Sequence, residues 1–225
     1  MAIYAVVPVK KLADSKRRLS TVFTPQERQM LTLAMLKDVL GTLKTSKVNK
    51  VVVVGEDFQV RQTAEGFGAL YISANGSSLN PAIEEAMLWC KSEGALSVLV
   101  LPADIPLLTA KDVNRVLELG NGGQSAVVLS PSGNWGTNAL YQKPAKIISS
   151  CFGPKSFLNH LREAYKKRIS VRVHFSVGLA TDIDDVQDLK KVFETENDSE
   201  CKQALKQITV GNVIARDFLL PKKEK

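Results

Sequence analysis

The residues best suited to chemistry are three aspartates in two short segments and a cationic loop distant from them in sequence. Asp104 follows the apolar run 97–101 and is bracketed by Pro102 and Pro106. A carboxylate at a strand tip in a stiff turn can hold Mg²⁺ against phosphate oxygens; the competing reading is an aspartate that only braces the turn. In Thr181-Asp182-Ile183-Asp184-Asp185, an extended backbone would project Asp182 and Asp184 from one face. Two carboxylates so placed repel unless a cation or proton stands between them. Asp185 is better suited to capping the next helix, a task Asp184 could share.

The loop Val9–Leu19 follows the first apolar run and carries Lys10, Lys11, Lys16, Arg17 and Arg18. Cations at a strand's carboxyl end suit a triphosphate. The glycines and the Gly-Lys-Ser/Thr ending of a Walker A loop are missing. A solvated surface loop or a nucleic-acid patch explains the same composition equally well. A fourth candidate joins Gly136-Thr137-Asn138 to Phe152-Gly153-Pro154-Lys155-Ser156-Phe157. Free amides at a helix start beside a hydroxyl make a phosphate site; in isolation the segment reads as a Gly-Pro turn with Ser156 as cap. His160, on an expected helix, and His174, on an expected strand, have no partner pattern and read as structural or surface residues. Nucleophile-elbow, zinc-protease and dinucleotide-binding motifs are missing, which leaves a Ser-His-Asp hydrolase, a zinc protease and a Rossmann dehydrogenase unsupported.

The elements that must position these residues alternate. Ala2–Val9 reads as a buried strand, Val51–Val54 as a strand covered on both faces, and Ala69–Ile72 and Ser97–Leu101 as further strands. Between them lie helical patterns: one opened by Thr24-Pro25-Gln26-Glu27, a short one over Phe58–Gly66, and one opened by Asn80-Pro81 and running to about Ser92. Thr109-Ala110-Lys111-Asp112 opens another. Ser125–Leu129 and Thr137–Tyr141 read as strands, Phe157–Lys167 as a helix, Val171–Phe175 as a strand, and Asp185 to about Phe193 as a capped helix. Residues 194–200 read as loop and the rest as poorly patterned, with a frayed tail from about residue 218. The expectation is one α/β domain over residues 1–225, a mostly parallel sheet between helical layers. Ligands of such sheets bind beyond the strands' carboxyl ends. That singles out the segments after Val9, after Leu101 and around Ala180–Asp184.

The net charge of +7 suits an anionic partner without choosing among nucleic acid, acidic lipid and phosphorylated metabolites. An aromatic-rich basic stripe for stacking bases is missing. The three cysteines are far apart and odd in number, which reads as reduced thiols rather than a disulfide framework or zinc site. The apolar start is too short for a secretory leader or a membrane span, so a cytoplasmic protein is expected.

In order along the chain stand Pro-Val-Lys-x-Leu-x-x-x-Lys-x-Arg-Leu (Pro8–Leu19), Leu-x-x-x-Met-Leu-x-Asp-Val-Leu (Leu31–Leu40), Leu79-Asn80, Leu-Pro-x-Asp-Ile-Pro-Leu-Leu (Leu101–Leu108), Gly-Thr-Asn-Ala-Leu (Gly136–Leu140), Phe-Gly-Pro-x-Ser-Phe (Phe152–Phe157) and Asp-Ile-Asp (Asp182–Asp184). From about Ile3 to Leu189 this series resembles the 2-phospho-L-lactate guanylyltransferase family of coenzyme F-420 biosynthesis. The resemblance implies a nucleotide-diphospho-sugar transferase fold, GT-A-like and Rossmann-like: a single three-layer α/β/α domain with a mixed sheet. It implies attack on GTP by the phosphate of 2-phospho-L-lactate, giving lactyl-2-diphospho-5'-guanosine and pyrophosphate; some relatives use phosphoenolpyruvate. Asp104, Asp182 and Asp184 would be the Mg²⁺ ligands. Val9, Lys10, Lys16 and Arg18 would line the triphosphate, with Lys16 and Arg18 stabilising the leaving pyrophosphate. Asn80 would lie near the guanine and ribose. Thr137, Gly153 and Ser156 would meet the acceptor's phosphate. A homodimer, with no nucleic acid or membrane partner, is implied. Competing readings are a nucleotidyltransferase for a sugar phosphate or molybdopterin-type acceptor, a non-catalytic nucleic-acid-binding module, and a regulatory relative that only binds nucleotide.

Overall fold

A computed structural model describes residues 2–196 and 198–219. The β-branched runs form β1 (Ile3–Pro8), β2 (Lys50–Gly55), β3 (Leu70–Ser73) and β4 (Ser97–Val100), followed by β5 (Ala126–Pro131), β6 (Thr137–Lys143) and β7 (Val171–Val173). They make one sheet in the order β3-β2-β1-β4-β6-β5-β7. β1 is parallel to β2 and β4, β2 to β3, and β5 to β7; only β6 is reversed, pairing antiparallel with both β4 and β5. The mostly parallel mixed sheet is therefore as expected. Reversal of β6 has a consequence for function: its first residues lie beside the carboxyl end of β4.

Side chains alternate across the sheet, and each face has its own core. Ala5, Val7, Val53, Leu99 and Tyr141 meet Leu36, Val39, Leu40 and Leu43 of α1 (Pro25–Lys44), Val60 and Ala64 of α2 (Phe58–Gly66), and Val113, Val116 and Leu117 of α4 (Ala110–Gly120). On the other face, Tyr4, Val6, Val52, Val98, Val100 and Leu129 meet Ile83, Ala86, Met87 and Cys90 of α3 (Leu79–Ser92) and Phe157 and Ala164 of α5 (Ser156–Lys166). Each fully buried aliphatic side chain contributes about 1.5–3 kcal/mol. The expected capping boxes form at Thr24 with Glu27 and at Thr109 with Asp112.

Beyond α6 (Val177–Ala180) and α7 (Val186–Glu194), the region read as poorly patterned forms α8 (Glu200–Gly211) and α9 (Val213–Leu219). Cys201, Leu205 and Ile208 recur on one face of α8, and with Ala215 and Leu219 they cover Leu31, Met35 and Phe23 beside α1. Asp38 of α1 accepts the amide hydrogens of Glu200 and Cys201 at 2.8 and 2.9 Å, capping α8 from outside its own segment. α9 runs through Leu219, which is buried. The rest of the tail expected from about residue 218, residues 220–225, lies outside the described residues. Two other caps are corrected: Ser78, not Asn80, precedes α3, and Lys155, not Ser156, precedes α5. Among the described residues, no helix is long and apolar enough to cross a membrane.

Candidate active site

A cavity of about 460 Å³ opens at the carboxyl ends of β1 and β4, where the strand-end rule places it. Its walls include Val9, Lys10, Lys16, Arg18, Asp104, Thr137, Gly153, Ser156, Asp182 and Asp184. All of the expected site residues except Asn80 therefore face one space.

The basic loop is built rather than loose. The Val9 amide donates to Val54 O at 2.8 Å, continuing the β1–β2 ladder by one bond. The Leu12 amide donates to Asp57 Oδ2 at 3.0 Å, and Lys11 pairs with Glu56 at 2.9 Å, outside the lining of the cavity. Two short 3₁₀ turns, Leu12–Asp14 and Arg17–Leu19, flank Lys16, whose backbone is left-handed at φ +48°. That conformation is uncommon for a residue with a Cβ. It holds the loop so that Lys16 turns inward. From beneath, the buried Arg28 of α1 donates from Nε to Ser15 O at 3.3 Å and from its guanidinium to Phe23 O at 3.0 Å. Arg28 bears no motif, and its role was invisible in the sequence.

Lys16 is the centre of charge in the site. Its side chain is 7% exposed, and Nζ lies 2.6 Å from Asp104 Oδ2 and 3.6 Å from Asp184 Oδ1. Burial alone would lower its pKa, but Asp104 first, then Asp184 and Asp182, outweigh that and hold the ammonium above its ordinary value. Arg18 reaches Asp184 Oδ2 at 3.4 Å from an exposed position, and Arg17 turns out to pair with Asp14. Lys10 lines the cavity and is exposed.

Backbone bonds bring the acidic segments together. The Ile183 amide donates to Asp104 O at 2.9 Å, stitching the two aspartate segments side by side. Asp182 receives the Asn138 side-chain amide at 3.3 Å; the same amide donates to Leu179 O at 2.7 Å. Burial pushes Asp182 above the ordinary carboxylate value, Asn138 pulls it back, and the charges of Asp104 and Asp184 push it up again. Asp185 caps α7 in a box with Asp188, as expected, leaving Asp184 free to face the cations. Among the described residues, no three of His, Cys, Asp and Glu are already grouped as metal ligands; the Lys16 ammonium stands between two of the three carboxylates instead. The set of hard oxygen donors converging on one cavity fits Mg²⁺ in kind.

The same cavity is lined by Thr137, at the start of β6, and by Gly153 and Ser156 of the turn that opens α5. The expected row of free helix amides is corrected: the Ser156 amide donates to Gly153 O at 3.1 Å and that of Phe157 to Trp135 O at 3.2 Å. Asn80 braces this turn from α3. Its side chain gives a hydrogen bond to Phe152 O at 2.9 Å and takes one from the Phe152 amide at 2.7 Å. Both ends of that side chain are thus engaged by protein, and Leu79 beside it lines the cavity. His160 is fully buried between Thr137 Oγ1 at 3.0 Å and the Cys151 amide at 2.9 Å. The i+4 spacing from Ser156 was its only signal in the sequence. His174 extends β7 through its amide to Leu129 O.

Such a site can hold a polyanion against Lys16, Lys10 and Arg18 while a second anion meets hydroxyls across the cavity. A Desulfovibrio desulfuricans structure bearing the name nucleotide-diphospho-sugar transferase superposes with TM-score 0.78 at 16% identity, covering 98% of this chain and 100% of that one. A nucleotidyl transferase from Methanothermobacter superposes with TM-score 0.61 at 14% identity, over 85% of this chain and 95% of that one. These likenesses show the fold. In sequence, a phosphoenolpyruvate guanylyltransferase of Rubrobacter xylanophilus is 38% identical over 85% of this chain and 94% of its own length. A 2-phospho-L-lactate guanylyltransferase of Methanobrevibacter smithii is 31% identical over 93% of this chain and 92% of its own. The family described as guanylyl transferase CofC-like matches residues 3–216. The chain belongs to the CofC-like guanylyl transferase family.

Proposed function

We propose that this protein transfers GMP from GTP to the phosphate of a small phosphorylated three-carbon acid, 2-phospho-L-lactate, with release of pyrophosphate. The observation that carries the reading is the pairing, across one cavity, of a buried Lys16 among three carboxylates with a hydroxyl-bearing wall at Thr137 and Ser156. Phosphoenolpyruvate is the second reading, favoured by the similarity to proteins named for that acceptor.

Both reactants are anions, so the barrier is charge build-up at the α-phosphorus. Asp104, Asp182 and Asp184 would hold Mg²⁺, which when bound would offset charge on the α-phosphate. Lys16, with Arg18 behind it, would hold the leaving pyrophosphate. For that, Lys16 must exchange Asp104 for phosphate oxygens. An ionised acceptor phosphate is already a nucleophile and needs no general base. Thr137, Gly153 and Ser156 would orient it, while Val9 and Lys10 border the nucleotide's path. The test is pyrophosphate release with each of the four nucleoside triphosphates against 2-phospho-L-lactate, phosphoenolpyruvate and a sugar phosphate. Release is expected only with GTP and a three-carbon acid; release with the sugar phosphate alone would overturn the assignment of the acceptor.

A further inference from the structure

The buried imidazole of His160 is used by nothing in the chemistry above, yet it touches Thr137 of the acceptor wall and Cys151, just before the turn that forms the rest of it. Its Nε2 lies 2.9 Å from the backbone nitrogen of Cys151, one residue before the Phe152-Gly153 turn. Its Nδ1 lies 3.0 Å from Thr137 Oγ1. A backbone N–H can only donate, so Nε2 must be the bare, accepting nitrogen. A neutral imidazole then carries its proton on Nδ1. The doubly protonated ring would set an N–H against the Cys151 N–H; burial likewise pushes the His160 pKa down to about 4, against smaller upward pulls from Glu163 and the Ser156 carbonyl. Phe152 packs its ring edge-on at 4.9 Å and fixes the plane of the imidazole.

We propose that His160 is a positioning residue that, by donating from Nδ1 to Thr137 Oγ1, turns the Thr137 hydroxyl hydrogen into the cavity as a donor to the acceptor's phosphate. A threonine hydroxyl has one hydrogen. If the ring accepted that hydrogen, Thr137 would present only lone pairs to a phosphate oxygen, and the two would repel. With Oγ1 accepting from the ring, the hydrogen is left for the ligand, where a charge-assisted bond forms. The same ring accepts the Cys151 amide, while the Gly153 turn beyond it is held by the two Asn80–Phe152 bonds, so His160 acts on the acceptor through Thr137.

The inference rests on the reading of Thr137 as an acceptor-phosphate ligand, and the experiment separates the two. The variants His160→Leu, His160→Asn, Thr137→Val and Thr137→Val/His160→Leu are compared in KM for 2-phospho-L-lactate, for phosphoenolpyruvate and for GTP, with Tm as a check of folding. Loss of the oriented bond should raise the acceptor KM about 10-fold or more in His160→Leu and leave the GTP KM unchanged. The asparagine amide can reach the Nδ1 position and donate, so His160→Asn should restore most of the acceptor affinity. In the Thr137→Val background His160→Leu should add nothing. An unchanged acceptor KM in Thr137→Val would overturn the placement of the acceptor itself. A raised KM in Thr137→Val on which His160→Leu multiplies independently would overturn only the role of His160. Should the histidine variants not fold, ¹⁵N NMR of the wild-type ring decides: protonation at Nδ1 with a bare Nε2 is expected, and the opposite tautomer refutes the proposal.

Discussion

Replacing Lys16 with Met keeps most of the side chain's length and apolar stem while removing the charge that faces Asp104 and Asp184. At 2.6 Å from Asp104 and with 7% of its side chain exposed, the ammonium is one half of a largely buried pair. Removing one partner of a fully buried pair costs ~3–5 kcal/mol. Asp104 keeps 30% exposure, so water can solvate the carboxylate left behind, and the loss of stability should be nearer ~1–2 kcal/mol. The loss in turnover should be larger. If the ammonium stabilises charge on the departing pyrophosphate, its removal should lower kcat ~10²- to 10³-fold, ~3–4 kcal/mol of barrier. Urea unfolding gives the first quantity, and steady-state pyrophosphate release at saturating GTP and acceptor gives the second. A Lys16→Met enzyme that loses stability but keeps kcat within about threefold of wild type would reduce Lys16 to a structural counterion and refute the reasoning.

Asp104→Asn should lower kcat ~10²-fold or more with little change in Tm, because Asp184 remains beside Lys16 at 3.6 Å; near-normal turnover would remove Asp104 from the chemistry. Arg28→Met should leave the carbonyls of Ser15 and Phe23 without their buried donor, lowering stability by ~2–4 kcal/mol and raising the GTP KM as the Lys16 loop loosens. Lost stability with an unchanged GTP KM would show that the brace does not govern the loop. His160, whose pKa falls from 6.5 to about 4 on folding, makes the unfolded chain the better proton binder between those values, so its contribution is full above pH 6.5 and is lost as pH falls toward 4. Asp38, pushed up to about 6 by burial, acts the other way: it favours the folded state when protonated and loses that contribution as pH rises through the same window. The readout is therefore the difference in unfolding free energy between wild type and His160→Asn, which should change by up to ~3 kcal/mol across pH 4–6.5; a flat difference would mean the histidine is not held neutral.

What the sequence could convey depended on whether a residue's partner was local. Thr24, Thr109 and Asp185 cap helices through residues three positions on, and all three form as read. The runs 3–8, 50–55 and 97–100 were legible as buried strands because covering on both faces leaves no polar alternation. The strand-end rule then marked the three segments that converge on the cavity. Partners distant in the chain were not legible. Asn80-Pro81 looks like a cap, yet Pro81 sits in the third helical position and the Asn80 amide is matched to Phe152, 72 residues on. Arg28 reads as an ordinary helix-surface arginine until Ser15 and Phe23 close over it. The face of α8 did carry a helical spacing at Cys201, Leu205 and Ile208 and a local cap at Ser199, but the polar residues around it and the distant grip of Asp38 on its first amides hid its role in the core.

The most direct measurement is ³¹P NMR of the full reaction with GTP, Mg²⁺ and each three-carbon phosphorylated acid. The account predicts a new diphosphate whose two phosphorus atoms derive from the α-position of GTP and from the acceptor, formed one for one with pyrophosphate and lost in Asp104→Asn. Release of orthophosphate from the γ-position, or an equal yield of diphosphate from the Asp104→Asn enzyme, would contradict it.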